Sequence, residues 1–252
     1  MAAMGETVAG MVHAVKNILG GLKGGIFVFE KGLELKREDL MSQGWDVVKR
    51  NIGKIQELVM DLLNYAGKRQ PQLEKCDPNE VAMDVVEMMK DKANEYEVEI
   101  KFERGNFSYT PLLDRKAIHR CLANLVANAI DACSELISVG RKGKVVMKTY
   151  EGLSREICFD VSDNGCGMEE EIRRKIFNSF FTTKGSKGTG LGLMLTNKMV
   201  MEQGGRIEVY SKPQEGSKFS IILPPVIESS IQLKGVMDES TRSEREVVYD
   251  IL

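Results

Sequence analysis

The sequence predicts an α+β protein: an N-terminal pair of long helices, then a larger region in which helices and strands are mixed. Three observations lead there. Apolar residues recur at helical spacing through the first 66 residues. Beyond Gly67-Lys-Arg-Gln-Pro-Gln72, segments that alternate apolar and polar residues at every second position take turns with further helical patterns. Two glycine-rich turns, Asp163-Asn-Gly-Cys-Gly-Met168 and Gly188-Thr-Gly-Leu-Gly-Leu193, punctuate the second half.

In chain order, residues 5–30 read as one helix, with Val8, Met11, Val15, Ile18, Leu22, Ile26 and Phe29 along one stripe. His13 falls on the far side, together with Glu6, Asn17, Gly20 and Gly24. A turn is expected between Gly32 and Asp39. The next helix carries Trp45, Val48, Ile52, Ile55, Val59, Leu62 and Ala66, spaced alternately three and four apart, which is a heptad seam. Two such stripes bury poorly alone. An antiparallel hairpin pairing with a second copy, as a four-helix bundle, solves that, so a homodimer is expected.

After the linker, Asp77-Pro-Asn starts a helix to about residue 93, with Val81, Val85, Met88 and Met89 apolar. A strand over 98–102 and a Gly-Asn turn follow, then a helix over 114–138. Two strands, 144–150 and 155–161, precede a helix over 169–177 and an irregular segment to Gly188. The second glycine turn opens a helix to about residue 203, and strands 206–211 and 217–223 close the sheet. From Val226 onward the chain has no clear period and is expected to be a mobile tail. The expected domains are therefore 1–70, 71–226 and 227–252. No internal repeat or low-complexity segment stands out.

Composition narrows the function. Thirty-five basic and 37 acidic residues nearly cancel, which gives no support to a nucleic-acid or membrane-surface partner. The five cysteines form no C-x-x-C pair, so reduced thiols and a cytoplasmic location are expected. Cys166 reads as a variable turn position rather than a redox sensor. No apolar run approaches the ~18 residues that span a bilayer, and no signal-peptide pattern opens the chain. Nothing ahead of residue 5 leaves room for a sensory domain, so the signal is expected through a partner or from a longer protein.

The helix over 114–138 carries the first candidate site. At ~100° per residue, Arg120, Asn124, Asn128 and Asp131 share one face, and Ile118, Leu122, Leu125, Ala129, Cys133 and Leu136 the other. Two amides on adjacent turns suit a hard cation such as magnesium (Mg2+), which keeps waters and shares its shell with phosphates. In Asp163-x-Gly165-x-Gly167 the glycines permit φ > 0 and the close approach of a flat ligand, and Asp163 offers an acceptor to an exocyclic amine. Gly188, Thr189, Gly190, Leu191 and Gly192 lead into a helix whose first N–H groups suit a phosphate chain. No Gly-Lys-Ser/Thr follows, so this is not a P-loop, nor does it start a βαβ dinucleotide unit.

Together and in this order, the segments resemble the ATP-binding domain of the sensor histidine kinases of two-component systems. Asn124 to Asp131 matches the N box, Asp163 to Met168 the G1 box, and Gly188 to Leu193 the G2 box. Phe177-Asn-Ser-Phe-Phe-Thr-Thr-Lys184 matches the F box between them. The resemblance spans roughly residues 75–225. It implies a Bergerat-fold α/β sandwich, a mixed sheet with helices on one face, with ATP under a mobile lid. His13-Ala-Val-Lys16-Asn17 resembles the H box of kinases carrying His-x-x-Lys-Asn. That implies His13 as phosphoacceptor, Mg2+ on Asn128, Lys184 or Lys187 assisting from the lid, Asp163 reading adenine and Ser217 supporting it through water. It further implies transfer to an aspartate of a response-regulator receiver domain, with Asn17 at the position that orients water for regulator dephosphorylation. His119, the other histidine, reads as a packing residue.

Two positions depart from the family. Ala14 stands where an acidic residue usually follows the histidine, and Glu6 on the same face lies ~10 Å away. Ile18 replaces the usual helix-kinking proline, and Gly20-Gly21 and Gly24-Gly25 loosen the helix instead, each at up to ~1 kcal/mol relative to Ala. The bare backbone at Gly20 and Gly24 is a candidate docking strip for the receiver domain, with packing against a partner helix as the other reading. Two further functions compete: a dimeric nucleotide-binding scaffold or phosphatase without efficient autokinase activity, and a gyrase- or chaperone-type ATPase. The latter carries a glutamate where this chain has Asn124.

Overall fold

The computed structural model describes residues 2–67, 70–134, 136, 140–184 and 188–226; for residues 2–9, 13, 14, 57 and 64–66 it describes the backbone alone. The expected tail from 227 lies outside the described residues. The chain divides into two compact units, residues 1–69 with 169–198, and residues 70–168 with 199–252.

In the first unit, α1 (Ala2–Leu35) and α2 (Glu38–Ala66) form a hairpin. The α1 helix runs through Gly32 and ends where Lys36 takes φ +53. Lys36 N–H bonds Leu33 O and Arg37 N–H bonds Gly32 O, which together cap the last turn in the manner of a Schellman motif. The helices meet along small residues. A side chain at Gly21 would strike Asn51, one at Gly25 would strike Val47, Val48 and the Gly44 carbonyl, and one at Gly32 would strike Met41. The buried positions therefore recur every seven residues, Ile18, Gly25 and Gly32 on α1 against Gly44, Asn51 and Leu58 on α2.

The expected stripes lie beside this seam. Val15 and Ile26 on α1, and Trp45, Ile52 and Val59 on α2, are exposed in the single hairpin. The reason is steric: glycine lets the backbones close directly, so the seam shifts onto the glycine rows and the large apolar residues flank it. Phe29 and Trp45 meet at the edge, with ring centroids 6.2 Å apart.

The same unit holds α5 (Glu170–Arg173), much shorter than the expected 169–177. Beyond it the N–H groups of Lys175 and Asn178 bond carbonyls three residues back, which tightens the chain into turns. The last helix, α6 (Gly192–Glu202), begins at the third glycine of its motif rather than the first and crosses from one unit into the other.

The second unit is built on five strands ordered β2-β4-β5-β7-β6: β2 (Val98–Glu103), β4 (Gly143–Glu151), β5 (Ile157–Asp163), β6 (Arg206–Lys212) and β7 (Gly216–Leu223). The β2–β4 pair is parallel and the rest antiparallel, so the sheet is mixed. Two-residue strands β1 (Glu74–Lys75) and β3 (Leu112–Leu113), absent from the sequence reading, pair beside it. Helices α3 (Pro78–Glu95) and α4 (Arg115–Cys133) pack on each other, α3 also on β2 and β4, and α4 also on β4, β5 and β7. Asp77 caps α3 through Asn79 N–H, with Pro78 in the first turn as the sequence signals. Ile118, Leu122, Leu125, Ala129, Cys133 and Leu136 are all buried, as their spacing predicts, near Val145, Met147, Phe159 and Ile221 of the sheet core.

Asp114 starts α4 and gathers three segments. Its Oδ1 accepts Ala117 N–H at 3.0 Å, its Oδ2 accepts Gln72 N–H at 2.9 Å, and its own N–H donates to Gln203 Oε1 at 3.1 Å. No helix among the described residues is long and apolar enough to cross a membrane.

Candidate functional site

In the second unit, α4 presents the predicted polar face. Asn124, Asn128 and Asp131 are half-buried. The Asn128 Nδ2 donates to Asn124 Oδ1 at 3.5 Å, a long bond that couples the amides across one turn. Asp131 is held by Lys92, whose Nζ lies 2.7 Å from Oδ1. Among the described residues no three His, Cys, Asp or Glu side chains gather to hold a metal ion. Amide oxygens beside a polyphosphate are the donor chemistry that a hydrated Mg2+ takes, so these residues fit that group.

The Asp-x-Gly-x-Gly turn leaves β5 and is stitched to its neighbours on two sides. Cys166 N–H donates to Ala132 O at 3.2 Å, at the end of α4, and Gln214 N–H donates to Cys166 O at 2.7 Å, from the β6–β7 connection. A Cβ on Gly165 would stand 2.6 Å from Ala132 O, and one on Gly167, at φ +65, would overlap Lys212 O. What comes close to these glycines is the chain's own backbone. Asn164, which sequence reasoning passed over, holds the turn from outside: its Oδ1 accepts Lys144 N–H at 2.7 Å and its Nδ2 donates to Lys142 O at 3.0 Å. An Asp-Asn pair at a strand end is the turn signal that marks it.

Asp163 is the most informative side chain. It accepts Gly165 N–H at 2.8 Å and Ser217 N–H at 3.3 Å, both on Oδ1. Among the described residues no donor reaches Oδ2. No sealed side-chain oxygen among them lacks a partner, so Oδ2 reaches solvent. Desolvation pushes the Asp163 carboxyl up to about 6, against the two backbone N–H groups that pull it down. One oxygen is thus pinned and the other is presented, which fits a ligand amine. Ser217 faces Asp163 across the β5–β7 ladder, and its Oγ lies 3.0 Å from Ser211 Oγ.

The first unit holds the other predicted residues. Thr182 Oγ1 accepts Lys184 N–H at 3.1 Å and would lie 2.6 Å from a Cβ on Gly188. Gly190, at φ +69, leaves room for the Phe180 backbone, which itself stands at φ +61. Thr189 Oγ1 accepts Leu191 N–H at 3.4 Å, Leu191 is buried, and Gly192 O accepts Thr196 Oγ1–H at 2.9 Å. Lys184 is exposed; Lys187 lies outside the described residues. His13 lies within α1, its side chain outside the described residues, with Lys16 exposed and Asn17 half-buried. His119 is half-buried on α4. Asn124, Asn128, Asp131, Asp163, Gly165, Gly167 and Ser217 all belong to the second unit, and residues 177–184, Gly188–Gly192 and the His13 helix to the first.

Residues 113–227 match the histidine kinase-, DNA gyrase B-, and HSP90-like ATPase family. The chain is 30% identical over 225 residues to the signal transduction histidine-protein kinase AtoS of Escherichia coli (strain K12), covering 89% of this chain and 35% of AtoS. It spans less than half the length of the first curated relatives it matches. The nucleotide-free catalytic domain of histidine kinase ThkA superposes with a TM-score of 0.53 at 30% identity, covering 61% of this chain and 96% of that domain. ThkA in complex with the response regulator TrrA shares the fold over 89% of this chain and 63% of that one, with a TM-score of 0.66 and 24% identity. The amide pair, the stitched glycine turn and these likenesses agree: the chain belongs to the sensor histidine kinases.

Proposed function

We propose that this chain is the phosphoryl-transfer core of a two-component histidine kinase, cytoplasmic and homodimeric, with ATP and Mg2+ as nucleotide and metal. On this reading residues 1–70 dimerise and carry the phosphoacceptor, and residues 71–226 bind ATP. The observation that carries it is Asp163, with Oδ1 fixed by two backbone N–H groups and Oδ2 presented to a ligand amine.

Asn128 is the metal ligand and Asn124 its neighbour on the same face; Asp163 takes the adenine amine, with Ser217 behind it. The first N–H groups of α6, exposed by Gly188, Gly190 and Gly192, take phosphate oxygens, and Lys184 offsets their charge. ATP supplies the γ-phosphoryl group. His13 attacks with its neutral Nε2: the N–P bond forms, the bond from Pγ to the ADP oxygen breaks, and the imidazole sheds its Nδ1 proton to a base. Lys16 and Asn17, three and four residues on, share the histidine's side of α1. The phosphoryl group then passes to an aspartate of a response-regulator receiver domain, for which the ThkA complex with TrrA is the support. Homodimerisation is supported by two exposed apolar rows, Val12, Leu19, Ile26 and Leu33 on α1 and Trp45, Ile52 and Val59 on α2, each repeating every seven residues.

Ala14 favours a second reading, a nucleotide-binding scaffold that dephosphorylates a regulator through Asn17, because no carboxylate follows His13 to take its proton. A gyrase-type ATPase is opposed by Asn124, which cannot act as the general base that a glutamate supplies there. Incubation with γ-labelled ATP and Mg2+ separates the three. Acid-labile, alkali-stable label lost in His13→Gln is expected; free phosphate alone would indicate the ATPase, and neither product the scaffold.

A further inference from the structure

The amide face of α4 carries a carboxylate where a polyanion is expected. Asp131 lies three residues beyond Asn128 and seven beyond Asn124, so the three side chains occupy an arc of about 60°. The adjacent carbonyl, Ala132 O, is the one that anchors the glycine turn through Cys166 N–H. Asp131 therefore stands at the junction of the amide pair and that turn. It also lies in the last turn of α4, where the helix dipole is negative and a further anion is disfavoured.

Lys92 answers both problems. It comes from the last turn of α3, an end that favours cations, and its Nζ reaches Asp131 Oδ1 at 2.7 Å, from a helix packed against α4. The side chains are 33% and 32% exposed, so the pair is partly desolvated and less screened than an ion pair standing free in solvent. No motif in the sequence points to Lys92.

We propose that Lys92 is a positioning residue for the nucleotide, acting through Asp131: it cancels the carboxylate's charge on the amide face and so admits a triphosphate with its divalent cation. This rests on the nucleotide reading above. A tie between helices with no other role would lower stability without regard to the number of phosphates, whereas charge cancellation discriminates among ligands by their charge.

The experiment is calorimetric titration of the full chain with ATP, ADP and adenosine in excess Mg2+, with thermal melts beside it. Lys92→Met is expected to weaken ATP about tenfold, the scale of one unit of positive charge removed near a polyphosphate, ADP less, and adenosine not measurably. The double variant Lys92→Met/Asp131→Asn is expected to recover affinity for ATP to within about twofold of the unaltered chain, since the charge to be cancelled is gone. Asp131→Asn alone, available should Lys92→Met not fold, is expected to bind ATP more tightly than the unaltered chain. Equal weakening for all three ligands, no weakening, or a double variant as weak as the single one overturns the proposal while the nucleotide reading stands. An unaltered chain that binds none of the three overturns both.

Discussion

A Cβ placed on Gly10 would stand 2.5 Å from the Cβ of Phe180. The glycine lies one turn ahead of His13 on α1, and the phenylalanine belongs to the segment that leads to the second glycine turn. Phe180 is held at φ +61, a region that bulky side chains rarely adopt, and its backbone occupies the space a Gly190 side chain would need. It is thus gripped by two glycines, one on each side. Gly10→Leu is expected to expel the ring and loosen the segment that carries it. Tryptic cleavage after Lys184 should then run several-fold faster than in the unaltered chain, and Phe180→Ala should give the same rate. Unchanged cleavage in Gly10→Leu would show that the contact restrains nothing.

The hairpin glycines divide into two classes with opposite expected responses. Nothing lies within 4 Å of a Cβ on Gly20 or Gly24, whereas a Cβ on Gly44 would overlap Phe29 N and stand 2.7 Å from Gly25 O. Gly24→Ala should therefore raise hairpin stability by up to about 1 kcal/mol through helix propensity. Gly44→Ala should lower it by about 1–3 kcal/mol through overpacking. Thermal melts followed by circular dichroism read both, and a destabilised Gly24→Ala would mean that a partner already sits on that strip.

The exposed heptad rows make the assembly state testable. Leu19→Glu with Ile52→Glu puts charge on both rows without touching the buried Ile18, Gly25, Asn51 and Leu58. Light scattering should report a dimer for the unaltered chain and a monomer of equal helicity for the variant. A dimer that survives the substitutions would place the interface elsewhere.

Asp163 sets function against stability. Its carboxyl is raised to about 6 by desolvation, so the folded chain binds its proton more tightly than the unfolded one. The cost to the fold is absent below the ordinary carboxylate range, grows as pH rises, and is fully present above about 6. Asp163→Asn keeps an oxygen for the Gly165 and Ser217 N–H groups and removes the charge. It should melt higher than the unaltered chain at pH 7 to 8, converge with it near pH 4, and lose adenine-nucleotide binding. In the unaltered chain, nucleotide affinity should fall as pH drops through about 6. Equal melting curves at pH 7.5 would remove the desolvation argument.

Turn chemistry and capping were readable because they are local. Asp77-Pro78, the glycine turn after Asp163 and the apolar face of α4 follow from residues a few positions apart. What stayed hidden depends on partners distant in sequence. Trp45, Ile52 and Val59 form a good heptad seam on paper, yet Gly21, Gly25, Gly32 and Gly44 let the backbones close and move the buried seam by one residue. The β1–β3 pair is two residues long on each side, too short for a period-two pattern to show. Lys92 belongs to no motif, and only the packing of α3 on α4 brings it to Asp131. For the same reason the sequence does not show that Ala132 and Lys212 come up against Gly165 and Gly167.

Asp114 carries a mechanical consequence. One buried carboxylate grips the backbone of Gln72, where the linker delivers the chain, and the first turn of the helix that bears both amides. Loss of that one carboxylate would therefore unfasten the entry of the chain into this unit and the start of the amide-bearing helix together.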